Sequence, residues 1–265
     1  MNFGCLPSKT LLYPAEKTGE IIRAQELEIR TGDIGIDFAA LMERVRKERE
    51  KRRRMHKKQL EEFDNVDYYR GEGHFISSTE VEVEENRIAA DRIFIANGAR
   101  PLIPPVEGLD KVDYLTNETI LEIRDRPESM AIIGGGYIAL EYAYFLSSCG
   151  VDVTIIEMNG KLLPGMEPEI SEMMEEQVGS YCRLHLNARA EKVLKEEDGL
   201  SVEVSSGEEK ITVNASRLLV AAGRRSNADT LSLEQTAIRT DEAGYIVVDE
   251  YMETGQPGVF AFGDI

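Results

Sequence analysis

The chain has 265 residues, 42% of them hydrophobic, enough to bury one or two cores of ordinary domain size. Its formal net charge of −18 argues against general nucleic-acid binding, and no stretch approaches the length of a membrane span or reads as a charged-then-apolar signal peptide. Three cysteines, none at metal-ligand or secreted-framework spacing, point to a reducing, cytoplasmic compartment and offer no metal site.

Pro7 suits a first helical turn, and the run from Leu11 to Leu27 has helical character before a break at Gly32-Asp33. A second helix runs to about Phe63. Between Arg44 and Lys58 it carries ten Lys or Arg against only Glu48 and Glu50. No aromatic residues interleave with these cations to stack bases, so the run reads as a solvated helix face rather than a nucleic-acid site. Residues 66 to 96 alternate short β-type runs, Val81-Glu82-Val83 and Arg92-Ile93-Phe94-Ile95, with turn residues at Gly71, Gly73 and Asn86. Pro101, Pro104 and Pro105 mark a stiff linker.

Residues 106 to 230 read as a self-contained nucleotide-binding unit. Met130 to Ile133 predicts a buried strand, Gly136 to Ser148 a helix, and Val151 to Glu157 a second apolar strand, the βαβ arrangement of a Rossmann fold. In the turn between them, Gly134 permits the tight exit from the strand, and Gly136 lets a pyrophosphate approach amides at the positive end of the helix. Ala139 holds the third position, where a small residue lets helix and strand pack closely. Glu157 ends the second strand, where a carboxylate can accept hydrogen bonds from both adenosine ribose hydroxyls and repel a 2′-phosphate. NAD is therefore expected over NADP, although Ala139 and the nearby cation Lys161 pull weakly the other way. The bland alternative for Glu157 is an exposed loop acid. A Glu-rich helix near residues 167 to 180 follows, and the runs Leu200 to Val204, Ile211 to Val213 and Leu218 to Ala221 read as an antiparallel excursion. Gly223, just beyond, counts among the cofactor-binding positions.

Four motifs in order carry a resemblance. Gly4-Cys5-Leu6-Pro7-Ser8-Lys9-Thr10 resembles the redox-active segment of the class I flavoprotein pyridine nucleotide-disulfide oxidoreductases. Ile95-Ala96-Asn97-Gly98-Ala99-Arg100-Pro101 is similar to that family's crossing segment, with Asn97 in place of the usual Thr. The run from Ile132 to Glu141 resembles its nicotinamide-binding turn, and Thr254 to Asp264 its second flavin-binding motif.

The resemblance implies an α/β fold of the glutathione-reductase type: a Rossmann-like NAD-binding domain, 106–230, inserted in an incomplete, discontinuous FAD-binding domain made of 1–105 and 231–265. It implies FAD and NAD as cofactors. Cys5 becomes the flavin-facing thiol, Lys9 the lysine near the flavin, Glu141 its ion-pair partner, and Tyr137 the ring that covers the flavin. Ala96, Gly98, Gly263 and Asp264 become flavin-binding positions. The family's first cysteine falls one position before Met1, so the chain is expected to be an internal, inactive piece of a longer protein, with Met1 not its natural start. The whole protein is expected to be a homodimeric oxidoreductase of the dihydrolipoyl dehydrogenase branch acting on a small-molecule or lipoyl-type disulfide, without nucleic-acid or membrane partners. Mercuric reductase-like and glutathione reductase-like enzymes are the rivals, along with a nucleotide-binding module without catalysis. His56 and Glu61 share the spacing of the family's catalytic pair by coincidence, and His74 and His185 read as structural. Cys149 and Cys182 read as small buried hydrophobes.

Overall fold

The structure, a computed structural model, describes residues 4–265. Met1, and the expectation attached to it, lie outside the described residues. The chain forms two compact units, one built from the N-terminal segment up to His56 together with Ile103–Gly223, the other from Lys57–Leu102 with Arg224–Ile265.

The first helix, α1 (Cys5–Ala24), takes in Pro7 as the sequence predicts and continues through Pro14. Pro7 sits in the first turn, where its missing N–H has no intrahelical partner to lose. Pro14 does remove an interior bond. It is tolerated because the flanking Leu11 and Ala15 are buried and hold the helix by packing. The second helix, α2 (Phe38–Glu61), opens where the Asp37 carboxylate accepts the Ala40 N–H at 3.0 Å, a side-chain cap. Its buried face ends early: Phe38, Leu41, Met42, Val45 and Arg49 are buried, and the remaining basic turns are largely solvated. Arg49 is held by an ion pair to Glu122 at 2.6 Å.

Next along the chain come β1 (Gly73–Phe75), β2 (Glu80–Val83) and β3 (Asn86–Ala89), an antiparallel meander, then β4 (Ile93–Ile95) and β5 (Ala99–Pro101). Asn86 is not the turn residue predicted. It opens β3, and the hairpin turns on Glu84, which takes a left-handed φ of 55°. Gly73 likewise lies within a strand.

The Rossmann-like part follows: β6 (Tyr114–Leu115), β7 (Ser129–Ile133), α3 (Tyr137–Ser148), β8 (Asp152–Ile156), α4 (Pro168–Gly179), β9 (Arg183–His185), β10 (Arg189–Glu196), β11 (Gly199–Ser206), β12 (Glu209–Ala215) and β13 (Arg217–Val220). Five of these strands make one parallel sheet in the order β6-β13-β7-β8-β9. Its central strands are apolar on both faces, as a sheet covered on both sides requires. Met130, Ile132, Val153 and Ile155 face the core shared with the helices, while Ala131, Ile133, Leu218 and Val220 face the core shared with the antiparallel sheet β10-β11-β12. Leu218 to Ala221 thus does not continue the antiparallel excursion, as the sequence predicts. It returns as a central parallel strand, because a four-residue apolar run looks the same in either setting.

The chain steps outward from β7 through α3 to β8 and β9, then returns to β7's other side as β13. Strand order therefore reverses between β7 and β13, and the carboxyl ends of these strands border the crevice where such sheets bind ligands. In the other unit β14 (Arg224–Ser226) pairs with β5, and β15 (Val259–Ala261) runs parallel to β4. Phe75, Ile95, Leu231, Ile246 and Val259 form part of its separate core.

Candidate functional site

The glycine turn lies at the carboxyl end of β7, on the crevice. Gly134 has φ of 115° and passes so close to the neighbouring strand's end that a Cβ there would sit 2.3 Å from the Ala221 carbonyl. Only glycine fits. Gly136 differs in kind: its φ is −82°, and a Cβ would meet nothing within 4 Å. It caps α3, whose first backbone bond is donated by Leu140 to the Gly136 carbonyl at 3.1 Å. The N–H groups of Tyr137, Ile138 and Ala139, in the first turn of α3, therefore have no intrahelical acceptor. Ala139 is fully buried against the sheet core, as its small size allows. A dinucleotide pyrophosphate fits this cradle, since its charge meets free donors and the positive end of α3. Gly223 takes φ of 127° at the crevice's other border, just past β13.

Glu157 follows β8 and is 5% exposed, so it is not a loop acid in solvent. Its Oε2 accepts the Gly135 N–H at 2.5 Å, and its Oε1 accepts both the Asn159 backbone N–H at 2.7 Å and the Asn159 side-chain amide at 2.6 Å. A carboxylate offers about four lone-pair sites. Three are taken, which leaves one acceptor site without a protein donor. Gly135 had no assigned role in the sequence reading, yet a Cβ there would lie 2.9 Å from the Glu157 carboxylate. Lys161 donates to the Met166 carbonyl at 3.3 Å.

Cys5 is exposed at the first position of α1, and Lys9 lies one turn on, on the same helix face. Lys9 donates to Glu141 of α3 in an ion pair, which brings together two of the predicted residues from 132 positions apart. Tyr137 opens α3 and is 60% exposed. The other two thiols are buried, and burial pushes Cys149 up to about 12 and Cys182 to about 11 from 9.0. Both folded values are raised, so the stability gained by keeping these thiols protonated is complete below pH 9.0 and is lost as pH climbs towards 11 and 12. Thiol titration of the native chain at pH 8 is expected to show fast labelling of Cys5 alone, with Cys149 and Cys182 labelled only in denaturant. Three fast thiols would contradict this assignment.

The second unit holds the remaining predicted positions. Gly98 and Gly263 have φ of 64° and 84°, and Cβ atoms there would meet nothing within 4 Å. The Asp264 carboxylate is exposed and lies 3.3 Å from Arg224 Nε, an ion pair rather than a directed hydrogen bond, because that nitrogen has no partner in hydrogen-bond geometry. Open backbone at Gly263, next in sequence to the exposed Asp264 carboxylate, fits the hydroxyl-rich chain of a flavin. Ala96 and Asn97 border a cavity of 570 Å³ that also touches Phe75, Phe94, Arg100 and Leu231. Asn97, the departure from the family's Thr, exchanges hydrogen bonds with Asn227, and Arg100 forks onto Asp229 at 2.7 and 2.8 Å. These hydrogen bonds hold the Asp229 carboxyl below its usual range. Sequence reasoning missed Arg224, Asn227 and Asp229, whose partners lie far along the chain.

The whole chain, residues 1–265, matches the family described as pyridine nucleotide-disulphide oxidoreductase. It is 31% identical to the mercuric reductase of Staphylococcus aureus over 266 residues, covering all of this chain and 49% of that protein. It is 31% identical to the dihydrolipoyl dehydrogenase of Geobacillus stearothermophilus over 271 residues, covering 57% of that protein. Among solved structures, the HOCl-induced flavoprotein disulfide reductase RclA of Escherichia coli superposes with a TM-score of 0.84 at 26% identity, over 99% of this chain and 56% of that one. The chain thus spans about half the length of the curated relatives it matches.

Proposed function

The chain belongs to the pyridine nucleotide-disulphide oxidoreductase family, and from that premise we propose that it is the nicotinamide-binding and redox-thiol part of an FAD-dependent enzyme that moves electrons between a dithiol or disulfide and NAD. In this reading 106–230 binds NAD, and 1–105 with 231–265 belong to the FAD-binding domain of a cytoplasmic homodimer. Among the described residues no helix is long and apolar enough to cross a membrane.

The observation that carries the proposal is the Cys5, Lys9 and Glu141 group. An exposed thiol at a helix N-terminus has a lysine one turn away, and that lysine is fixed by a carboxylate from the nucleotide-binding helix α3. FAD, when bound, supplies the electron chemistry between thiol and nicotinamide. The chain's own residues position the partners. Cys5 stands exposed at the α1 terminus with Lys9 one turn on, while Glu141 keeps the Lys9 ammonium oriented. Gly136 and the first amides of α3 receive the pyrophosphate, Glu157 takes a ribose hydroxyl, and Tyr137 stands exposed at the start of α3 as a movable cover. Gly98, Gly263 and Asp264 offer the flavin side its contacts.

A dihydrolipoyl dehydrogenase-like activity is the finer reading, because Glu157 favours NAD. Mercuric reductase is the second reading, favoured by the match to the Staphylococcus aureus enzyme over the whole chain. Steady-state assays of the intact protein with lipoamide and with Hg²⁺, each with NAD(H) and NADP(H), separate them. Turnover of lipoamide with NAD is the expected result, and Hg²⁺-dependent oxidation confined to NADPH would overturn it.

Glu157→Ala tests the nucleotide assignment directly. Removing the charge-assisted ribose contact, worth roughly 1.5–3 kcal/mol, should narrow the NAD preference by about one to two decades. Calorimetric titration of both proteins with both nucleotides reads this. A wild type that binds NADP as tightly as NAD, or an unchanged ratio in the variant, would show that Glu157 does not choose the cofactor.

A further inference from the structure

We propose that Asn159 is a positioning residue that sets dinucleotide selectivity through Glu157, an inference that rests on the NAD reading of that carboxylate. Glu157 sits in a tight enclosure. Gly135 donates to one oxygen, and Asn159 donates to the other twice, from its backbone at 2.7 Å and its side chain at 2.6 Å. The backbone around this clamp is itself fixed. Glu157 N–H donates to His185 and Glu157 carbonyl accepts from Ala188, both at 2.9 Å, and the Asn159 carbonyl accepts from Asn187 at 2.9 Å. Of the three donors that fix the carboxylate's rotation, the Asn159 amide is the one that a side-chain substitution can remove.

Asn159 is exposed while Glu157 is buried. This asymmetry matters chemically. A buried carboxylate without enough donors carries a desolvation cost that drives it to turn outward or take a proton, and either change alters how it meets a ribose hydroxyl or a 2′-phosphate. With the Asn159 amide in place, Oε1 is fully engaged and Oε2 keeps a free lone pair beside the glycine turn. The free acceptor therefore lies on the oxygen that the glycine turn holds. An aspartate at 159 would lack the donor and add a like charge to the same oxygen. The sequence offers no motif for this role, since Asn159 lies in the Met158-Asn159-Gly160 loop, beyond the strand that the Rossmann pattern defines.

The experiment is a double-mutant cycle read by calorimetric titration with NAD and NADP, using wild type, Asn159→Ala, Glu157→Ala and the double variant of the whole chain, with urea midpoints as a folding control. Asn159→Ala should weaken NAD about three- to tenfold, leave NADP within twofold, and have no further effect once Glu157 is alanine. Asn159→Asp should lose more NAD affinity than Asn159→Ala. The midpoint of the alanine variant should fall slightly, since the buried Glu157 carboxylate loses one donor, so the titrations are compared at equal folded concentration. Equal weakening of both nucleotides, or an undiminished Asn159 effect in the Glu157→Ala background, overturns the inference while leaving the Glu157 reading intact. A Glu157→Ala variant with the wild-type ratio overturns both.

Discussion

Gly134→Ala is expected to destabilise its unit by about 2–5 kcal/mol, whereas Gly136→Ala, two residues away, should leave folding within about 0.5 kcal/mol and still cripple nucleotide binding. The two glycines serve different links between sequence and function. At Gly134 the backbone has φ of 115°, a region costing an L-residue about 1–3 kcal/mol. The added methyl would also sit 2.3 Å from the Ala221 carbonyl. That oxygen cannot swing away, because it is backbone, and the Ala221 N–H is bonded to the Ile133 carbonyl at 2.8 Å. One strand end or the other must shift, with overpacking costs of about 1–3 kcal/mol. Gly136 carries neither burden, since its φ is ordinary and its Cβ space is empty. A methyl there occupies the space through which a pyrophosphate reaches the α3 amides. Urea unfolding followed by circular dichroism, paired with NAD titration, separates the two outcomes. A Gly134→Ala chain as stable as wild type would disprove the close-crossing account, and unimpaired NAD binding by Gly136→Ala would place the pyrophosphate elsewhere.

This contrast also marks what a sequence makes legible. Strand β7, the glycine turn, helix α3 and strand β8 were all readable, because each is specified by residues within a few positions of one another and by a period that only one element satisfies. The Glu-rich helix α4 was legible too, and Pro168 stands at its start. Sheet order was not readable in the same way. The β13 run Arg217–Val220 is apolar and short, so nothing local distinguishes a central parallel strand from the edge of a meander; its place between β6 and β7 is decided by packing on two faces at once. Helix α1 was legible from Pro7 and the run after Leu11, and it keeps Pro14 in its interior because Leu11 and Ala15 are buried.

The candidate site divides along the same line. Glu157 was found by its spacing from the glycines, but its environment was not, because the donors that occupy it come from a loop residue two positions on and from the turn itself. The Lys9 and Glu141 pair was anticipated only through family resemblance: 132 residues separate its members, and no periodicity links them. Arg224 beside Asp264, and Asn227 with Asp229 around Asn97 and Arg100, lacked even that guide. Long-range polar contacts of this kind depend on the completed fold.

On the proposed redox role, Cys5→Ser in the intact protein is expected to lower thiol-dependent turnover by about three decades or more, while Cys149→Ser and Cys182→Ser leave it near wild type. A thiolate is the reactive form, and a serine hydroxyl cannot replace it at neutral pH. Position decides which thiol matters. Cys5 is exposed at the start of α1, one turn from Lys9, whereas burial pushes Cys149 up to about 12 and Cys182 to about 11, which keeps both protonated and out of reach. Glu141→Gln should fall between these extremes. The Lys9 and Glu141 side chains are 61% and 27% exposed, so losing the ion pair should cost no more than about 1 kcal/mol of stability, yet Lys9 would no longer be held in place near the thiol. A fall in turnover without a matching fall in the urea midpoint is therefore the expected signature of Glu141→Gln. The measurement is disulfide-dependent oxidation of reduced nicotinamide at saturating nucleotide, with all four variants at equal folded concentration. Retention of more than a tenth of wild-type turnover by Cys5→Ser would remove Cys5 from the electron path, and an equal loss in Cys182→Ser would move that path to the buried thiols.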